Sequence, residues 1–384
     1  MLRLPSRTLA LVALLTLGSA APSFADSKVG ISASAPGPGA ALGTPEMKAI
    51  AVLPTEIDGQ KIQYIALDDA SDATKSATNA RKFVTEDKVD LLLGSTLTFT
   101  TLPLIDIAAE SKTPLLAPTA GSQLVDPVDA KRRWVFKVVP NDHIGAVALA
   151  KYMAAQGIKR VGFIGFNDAY GETWAHEAET TFPSMGMTIV DKEVYARTDT
   201  SATGQVLKLI EAKPDAIFIA ASGTPATVPA HELRERGYKG PMFQTHGVAS
   251  PAFIQAGGKD VEGTVISAEP FVVASQLPDS NPFKKIALDF VARYKKANGA
   301  PPAIFAAHMV DAMSIVAAAM PTALKAGKPG TEAFRAGLRD GIEQIKDLYL
   351  NNGLLSMSPT DHCGYDQRSA MVMKVENGGF KLLQ

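Results

Sequence analysis

Cysteine is all but missing. Cys363 stands alone among 384 residues, so no disulfide can form within the chain in any compartment and packing must hold the fold. An excess of one charge is missing too: Lys and Arg number 38 against 39 Asp and Glu. That balance argues against nucleic acid or an anionic membrane surface as a partner. Long hydrophobic runs are scarce. The apolar stretch Leu9 to Gly18 is about half of the roughly 20 residues that a spanning helix needs, and the later stretch Val310 to Ala323 is interrupted by Asp311 and Pro321. Catalytic signatures are thin. Trp174-Ala175-His176-Glu177 has one histidine where a zinc helix has two, and Gly37 to Gly43 lacks the spacing of a phosphate loop. Asp361-His362-Cys363-Gly364-Tyr365-Asp366 gathers reactive side chains, but catalytic partners usually converge from distant segments. No catalytic residue, metal or cofactor is expected, and the chain reads as a non-enzyme.

What is present begins with a leader. Arg3 and Arg7, the apolar run, and Ser23-Phe24-Ala25 have the form of a cleaved secretory signal over residues 1–25, with Asp26 as the expected first residue of the exported chain. Its removal takes away two arginines and no acids, leaving 36 basic against 39 acidic residues, a net charge of −3. Hydrophobic residues make up 46% and charged ones 20%, an ordinary balance for a chain of this length folding as two or three domains.

The dominant pattern is a short β-branched run, a turn and an amphipathic stretch, repeated many times, which predicts an α/β fold with parallel sheets. The clearest copy is Val161-Gly162-Phe163-Ile164-Gly165-Phe166 followed by a helix near Glu172. A strand from Met187 to Tyr195 comes next, then Thr200 and Ser201 where a helix cap belongs, and the buried strand Asp215 to Ala220. Further strands are expected near Met242 and Val265. The first third repeats the scheme, with strands near Val29, Ile62, Leu91, Leu115 and Val135 and helices near Lys48, Thr74, Leu102 and Ile144. Two α/β sets therefore share one chain, with a boundary between Val135 and Ile144 at the turn Val139-Pro140-Asn141-Asp142. Ala35 to Pro45 and Leu277 to Phe283 read as loops. Ligand contacts in open α/β sheets gather at strand C-terminal ends.

Several segments resemble the type I periplasmic binding proteins, in particular the branched-chain amino acid (Leu/Ile/Val) binding group of ABC transporters. They are Lys28-Val29-Gly30 leading to Gly37-Pro38, Asp68-Asp69-Ala70-Ser71-Asp72, Asn167-Asp168-Ala169-Tyr170-Gly171, and Gly237-Tyr238-Lys239-Gly240 before Thr245-His246-Gly247. The resemblance runs nearly the whole exported length. It implies two Rossmann-like lobes joined by three hinge crossovers, near Pro140, Glu269 and Ser356. Lobe 1 would hold residues 26–140 and 270–356, and lobe 2 residues 141–269 and 357–384. It also implies a periplasmic monomer that closes on a small solute and delivers it to a permease.

Carried over residue by residue, the resemblance puts Thr98, four residues after the strand-ending Gly94, where the family has its carboxylate-holding serine. Ala120 and Gly121 take the places of the backbone amides that complete this site, and Ser122 can supply the hydroxyl that Gly121 lacks. Thr98 and Ser122 also suit helix caps. Tyr170 matches a ligand-facing tyrosine, while Leu42 and Phe305 match apolar walls, and Phe99 offers a further ring or a core residue. Two positions depart. The glutamate that pairs with an amino acid's ammonium aligns with His246, and a second tyrosine aligns near Gly223, beside Thr224. The family's disulfide positions fall on Ser71 and Leu97.

A histidine supplies no fixed negative charge, and a buried ammonium left unpaired costs several kcal/mol. The expected ligand is therefore a small carboxylate without an α-amino group, such as an aromatic acid stacked on Tyr170 or Phe305, with His246 hydrogen-bonding a ring hydroxyl or standing as an ordinary loop histidine. A branched-chain or other amino acid, or a role as the ligand-sensing part of a receptor, are the alternatives.

Overall fold

In a computed structural model of the chain, residues 26–383 are described; the expected secretory signal lies outside them. The continuous apolar runs form strands buried on both faces, as parallel sheets require. The first sheet holds β1 (Ser27–Ala33), β2 (Glu56–Ile57), β3 (Gln60–Asp68), β4 (Leu91–Leu93), β5 (Leu115–Ala117) and β6 (Val135–Lys137), in the order β2-β3-β1-β4-β5-β6. All neighbours are parallel except the hairpin of β2 with β3.

The second sheet holds β7 (Arg160–Phe166), β8 (Thr188–Tyr195), β9 (Ala216–Ala220), β10 (Met242–Gln244) and β11 (Val265–Ala268). After the small hairpin β12 (Leu348–Tyr349) and β13 (Leu354–Leu355), the chain adds β14 (Met371–Glu376) and β15 (Gly379–Leu382), completing the order β15-β14-β11-β10-β9-β7-β8. Here the structure departs from the all-parallel expectation, since β14 runs antiparallel to β11 and to β15. The turn Asn377-Gly378, with φ of 54° and 73°, is the tight hairpin connection that such a dipeptide favours.

Three connections join the two sheets. After β6 the chain enters the helix Asp142–Ala155 beside the second sheet. After β11 it returns through Glu269 to the helices Pro282–Asn298 and Ile304–Ala326, which pack on the turn Ile50–Val52 and the helix Ala40–Ala49 on the side of the first sheet. It crosses again before β14. The segment Asp361–Asp366 sits against the first connection: Lys137 N donates to His362 O at 2.9 Å, the His362 ring stacks on Phe136 at 4.1 Å, and Tyr365 Oη donates to Val138 O at 2.7 Å. Burial pushes the Cys363 thiol up, the reverse of an activated nucleophile, and its side chain packs near Val139 O at 3.8 Å. This segment joins connections.

Two local expectations fail. The segment read as a loop from Ala35 to Pro45 turns helical at Ala40, and the helix Ala40–Ala49 carries Pro45 inside it. It survives because it packs on Ile304–Ala326, and tertiary packing outweighs the lost N–H. The helix Thr203–Glu211 is capped at Ala202, with Ser201 and Ala202 N both held by the Glu232 carboxylate at 2.5 and 2.9 Å. Ile304–Ala326 is long and apolar enough to span a membrane by composition, yet 78% of its apolar window is buried inside the protein, where Asp311 accepts from Asn351 N and Asn352 N at 3.0 Å each.

Candidate functional site

The C-terminal ends of both sheets face one small cavity, at the place where open α/β sheets hold their ligands. The first lobe supplies Thr96, Leu97 and Thr98 after β4, Pro118, Thr119 and Ala120 after β5, and Phe305 and His308 from Ile304–Ala326, with Leu42 from Ala40–Ala49. The second lobe supplies Tyr170 after β7, Arg197 after β8, Ser222 after β9, and His246 and Gly247 after β10.

The first-lobe rim is organised by buried acids. Asp69, fully buried, accepts from Ser32 Oγ at 3.0 Å and from Ser34 Oγ and Ser95 Oγ at 2.6 Å each. This ties the ends of β1, β3 and β4 together. Glu46 accepts from Thr96 Oγ1 at 2.5 Å, and burial pushes its carboxyl well up. Gly94 makes this turn at φ +126°, where an added Cβ would stand 2.1 Å from Ser32 O, so no side chain fits. Thr98 Oγ1 lies 3.4 Å from Thr119 Oγ1. The N–H groups of Ala120 and Gly121 have no acceptor among the described residues. Ser71 and Leu97, the lost disulfide positions, both flank Gly39: its N–H donates to Ser71 Oγ at 3.0 Å, and its Cβ position lies 3.0 Å from Leu97 Cδ1.

The second-lobe rim is aromatic. Tyr170 Oη lies 2.7 Å from Thr245 Oγ1. Because that threonine already donates to Ala221 O at 2.8 Å, the phenol is the donor, and burial raises its pKa far above the ordinary value. Gly247 has no room for a side chain, since an added Cβ would meet Ser222 Cβ at 2.6 Å and Tyr170 Oη at 2.7 Å.

Of the residues expected in the site, Leu42, Thr98, Ala120, Tyr170, His246 and Phe305 line the cavity, whereas Phe99, Gly121, Ser122, Gly223 and Thr224 do not. Ser122 opens a single turn of helix beside the rim, Thr224 is exposed, and the Cβ position of Gly223 abuts Leu42 Cδ1 at 3.1 Å. Gly121 supports the rim from behind, its Cβ position 2.6 Å from Thr98 Cγ2. Phe99 packs partly buried against the core, with its ring 5.7 Å from the Arg197 guanidinium.

Among the lining residues that sequence reasoning missed, two carry ionisable side chains, Arg197 and His308. Arg197 follows the strand Met187 to Tyr195 by two positions, at a strand C-terminal end where ligand contacts were to be sought. His308 lies one helical turn beyond Phe305. Arg197 is buried and stacks over Phe166 at 4.0 Å. It donates to the Asp168 carboxylate through Nε, and to Ser222 Oγ through Nη1 at 2.8 Å.

The histidines are neutral: burial, then Lys137, pulls His246 down to about 3, and burial, then His246, does the same to His308. Behind them lie Asp142 and Glu269, each pushed up to about 7 chiefly by burial. Among the described residues, the side chains lining the cavity thus include one guanidinium and two neutral imidazoles and no carboxylate.

The paired sheets, the three connections and a cleft at the strand ends define a two-lobed solute-binding protein. Residues 27–379 match the family described as periplasmic binding protein, and the chain belongs to that family. A Leu/Ile/Val-binding protein homolog 3 from Brucella melitensis biotype 1 is 23% identical over 90% of each chain. An extracellular ligand-binding receptor from Rhodopseudomonas palustris HaA2 is 55% identical, with a TM-score of 0.92, covering 94% of this chain and 100% of that one. The substrate-binding protein LivJ of a Streptococcus pneumoniae branched-chain amino acid transporter, solved with isoleucine, is 20% identical with a TM-score of 0.78, covering 94% and 99%; that likeness is one of fold.

Proposed function

We propose that this chain is the periplasmic solute-binding component of an ABC importer, exported through its N-terminal signal and binding a small carboxylate, in particular an aromatic acid, between two closing lobes. The lobes are residues 26–140 with 270–356, and 141–269 with 357–384. The observation that carries this reading is the absence of any Asp or Glu among the described residues that line the cavity. An amino acid's ammonium would have only dipoles there, and an uncompensated buried charge costs several kcal/mol. An acid without an amino group meets the Thr98 hydroxyl, free amides at Ala120 and Gly121, and a cation. Tyr170 and Phe305 offer faces for an aromatic ring, and neutral His246 and His308 can each donate or accept one hydrogen bond to its distal polar group.

No chemistry on the ligand is called for. Closure follows from higher affinity for the closed state than for the open one, and the closed protein, as a monomer, is what a permease would recognise. The names of the relatives favour a second reading, a branched-chain amino acid as cargo, and the retained Thr98 hydroxyl and rim amides suit it. A thermal-shift panel of benzoate-like and phenylpropanoid acids against leucine and valine separates the two. Stabilisation by the aromatic acids alone supports the first; stabilisation by the amino acids alone overturns it.

A further inference from the structure

Arg197 has donors to spare. A guanidinium carries five N–H groups; Nε and one on Nη2 reach Asp168, the latter at 3.5 Å, and one on Nη1 reaches Ser222. The two others, one on each terminal nitrogen, have no acceptor among the described residues. A buried arginine lining a ligand cavity with a donor left on each terminal nitrogen is equipped for bidentate recognition of a planar anion.

Its ion-pair partner Asp168 has a second occupation. The same carboxylate caps the helix Ala169–Ser184, accepting from Tyr170 N at 3.0 Å and Gly171 N at 3.3 Å. Asp168 is thus shared between the guanidinium and the helix end, which also attracts its negative charge. The Arg197 guanidinium also lies 5.6 Å from the Tyr170 ring and 5.7 Å from the Phe99 ring, so it stands beside the residue next to Thr98, at the seam between the lobes.

We propose that Arg197 sets the charge specificity of this site: its two free N–H groups take the ligand carboxylate from the second lobe while the Thr98 hydroxyl and the Ala120 and Gly121 amides take it from the first. The anion thereby bridges the lobes. Asp168 and Ser222 are positioning residues that fix the guanidinium for this contact. The inference rests on the carboxylate reading above, and it adds a residue that the resemblance to amino acid binding proteins does not supply.

The experiment compares benzoate with benzamide, equal in shape and different in charge, by calorimetric titration of the wild-type protein and of Arg197→Gln and Arg197→Lys. Removing one partner of a buried charged pair costs on the order of 2–5 kcal/mol, a factor of roughly 30 or more in Kd. Wild type should prefer benzoate by at least ~30-fold, Arg197→Gln should bring the ratio near one, and Arg197→Lys, with the charge but not the fork, should fall between. If Arg197→Gln does not fold, Arg197→Lys carries the test by the same ratio. A variant that keeps the full wild-type preference overturns the role of Arg197 and leaves the carboxylate reading standing. Wild type that binds leucine or valine and neither benzene derivative overturns both.

Discussion

Asp142 is the most exposed point of the account to a stability measurement, because its carboxylate is buried at the first connection between the lobes with the Trp174 indole as its one neighbouring side-chain donor among the described residues and no well-formed hydrogen bond to either oxygen. Lys137, Glu177, Glu269 and Tyr170 are the charged and titratable groups around it. Burial, partly opposed by Lys137, raises its pKa from 3.8 to about 7. The folded state therefore holds a proton that the unfolded chain has released, and stability due to this group is fully present below pH ~4 and lost as pH rises to ~7. At about 1.4 kcal/mol per unit, the ceiling is roughly 4 kcal/mol for this side chain. Wild type alone will not display it, because His246 and His308, pulled down from 6.5 to about 3, lose stability in the opposite direction as pH falls below ~6.5. The difference between Asp142→Asn and wild type isolates the term. In urea unfolding followed by circular dichroism, the variant should gain on wild type by ~2–3 kcal/mol between pH 5 and pH 8. Parallel profiles for the two proteins would refute the assignment of a buried, unpaired carboxylate.

Three other perturbations have defined outcomes. Gln123 ties the lobes directly, donating to Ala169 O at 3.2 Å and accepting from Thr173 Oγ1 at 2.8 Å; Gln123→Ala should favour the open form, weaken ligand binding by about 5-fold, and enlarge the radius of gyration in small-angle scattering without ligand. Gly247→Ala should push Tyr170 or Ser222 out of place and weaken binding by at least ~10-fold at a stability cost of about 1–3 kcal/mol, the usual penalty of overpacking, checked by titration and thermal unfolding. His308→Gln removes one of the two depressed imidazoles, so its stability relative to wild type should rise by up to ~1.4 kcal/mol per unit as pH falls below 6.5, seen as a smaller drop in Tm between pH 7 and pH 5.

Much of the architecture was legible because buried parallel strands announce themselves as unbroken apolar runs. Val161 to Phe166 and Ala216 to Ala220 needed no further context. The antiparallel edge was harder, since Met371 to Leu382 alternates on a half-covered sheet face, although its Asn377-Gly378 turn was a readable hairpin signal. The helix Ala40–Ala49 was hidden by Gly43 and Pro45, whose local preferences are overridden by packing on a helix more than 250 residues later in the chain.

The resemblance supplied cavity-lining positions such as Leu42, Tyr170 and Phe305, but it also supplied Gly121 and Gly223, which stand outside the lining. The site was illegible where this chain has its own solution. Arg197 lay in plain view two residues beyond a strand end, but an arginine in a polar turn is usually solvated, and only its burial against the half-buried Asp168 and the buried Ser222 marks it as a site residue. His308 was masked by a helix in which almost every neighbour is apolar core.

The central claim is that this cleft closes on an acid and not on an amino acid. Native mass spectrometry of the exported protein, purified without denaturation and then released from its cargo, tests it most directly. The account predicts a released carboxylic acid lacking an amino nitrogen; leucine, isoleucine or valine in that spectrum would contradict it.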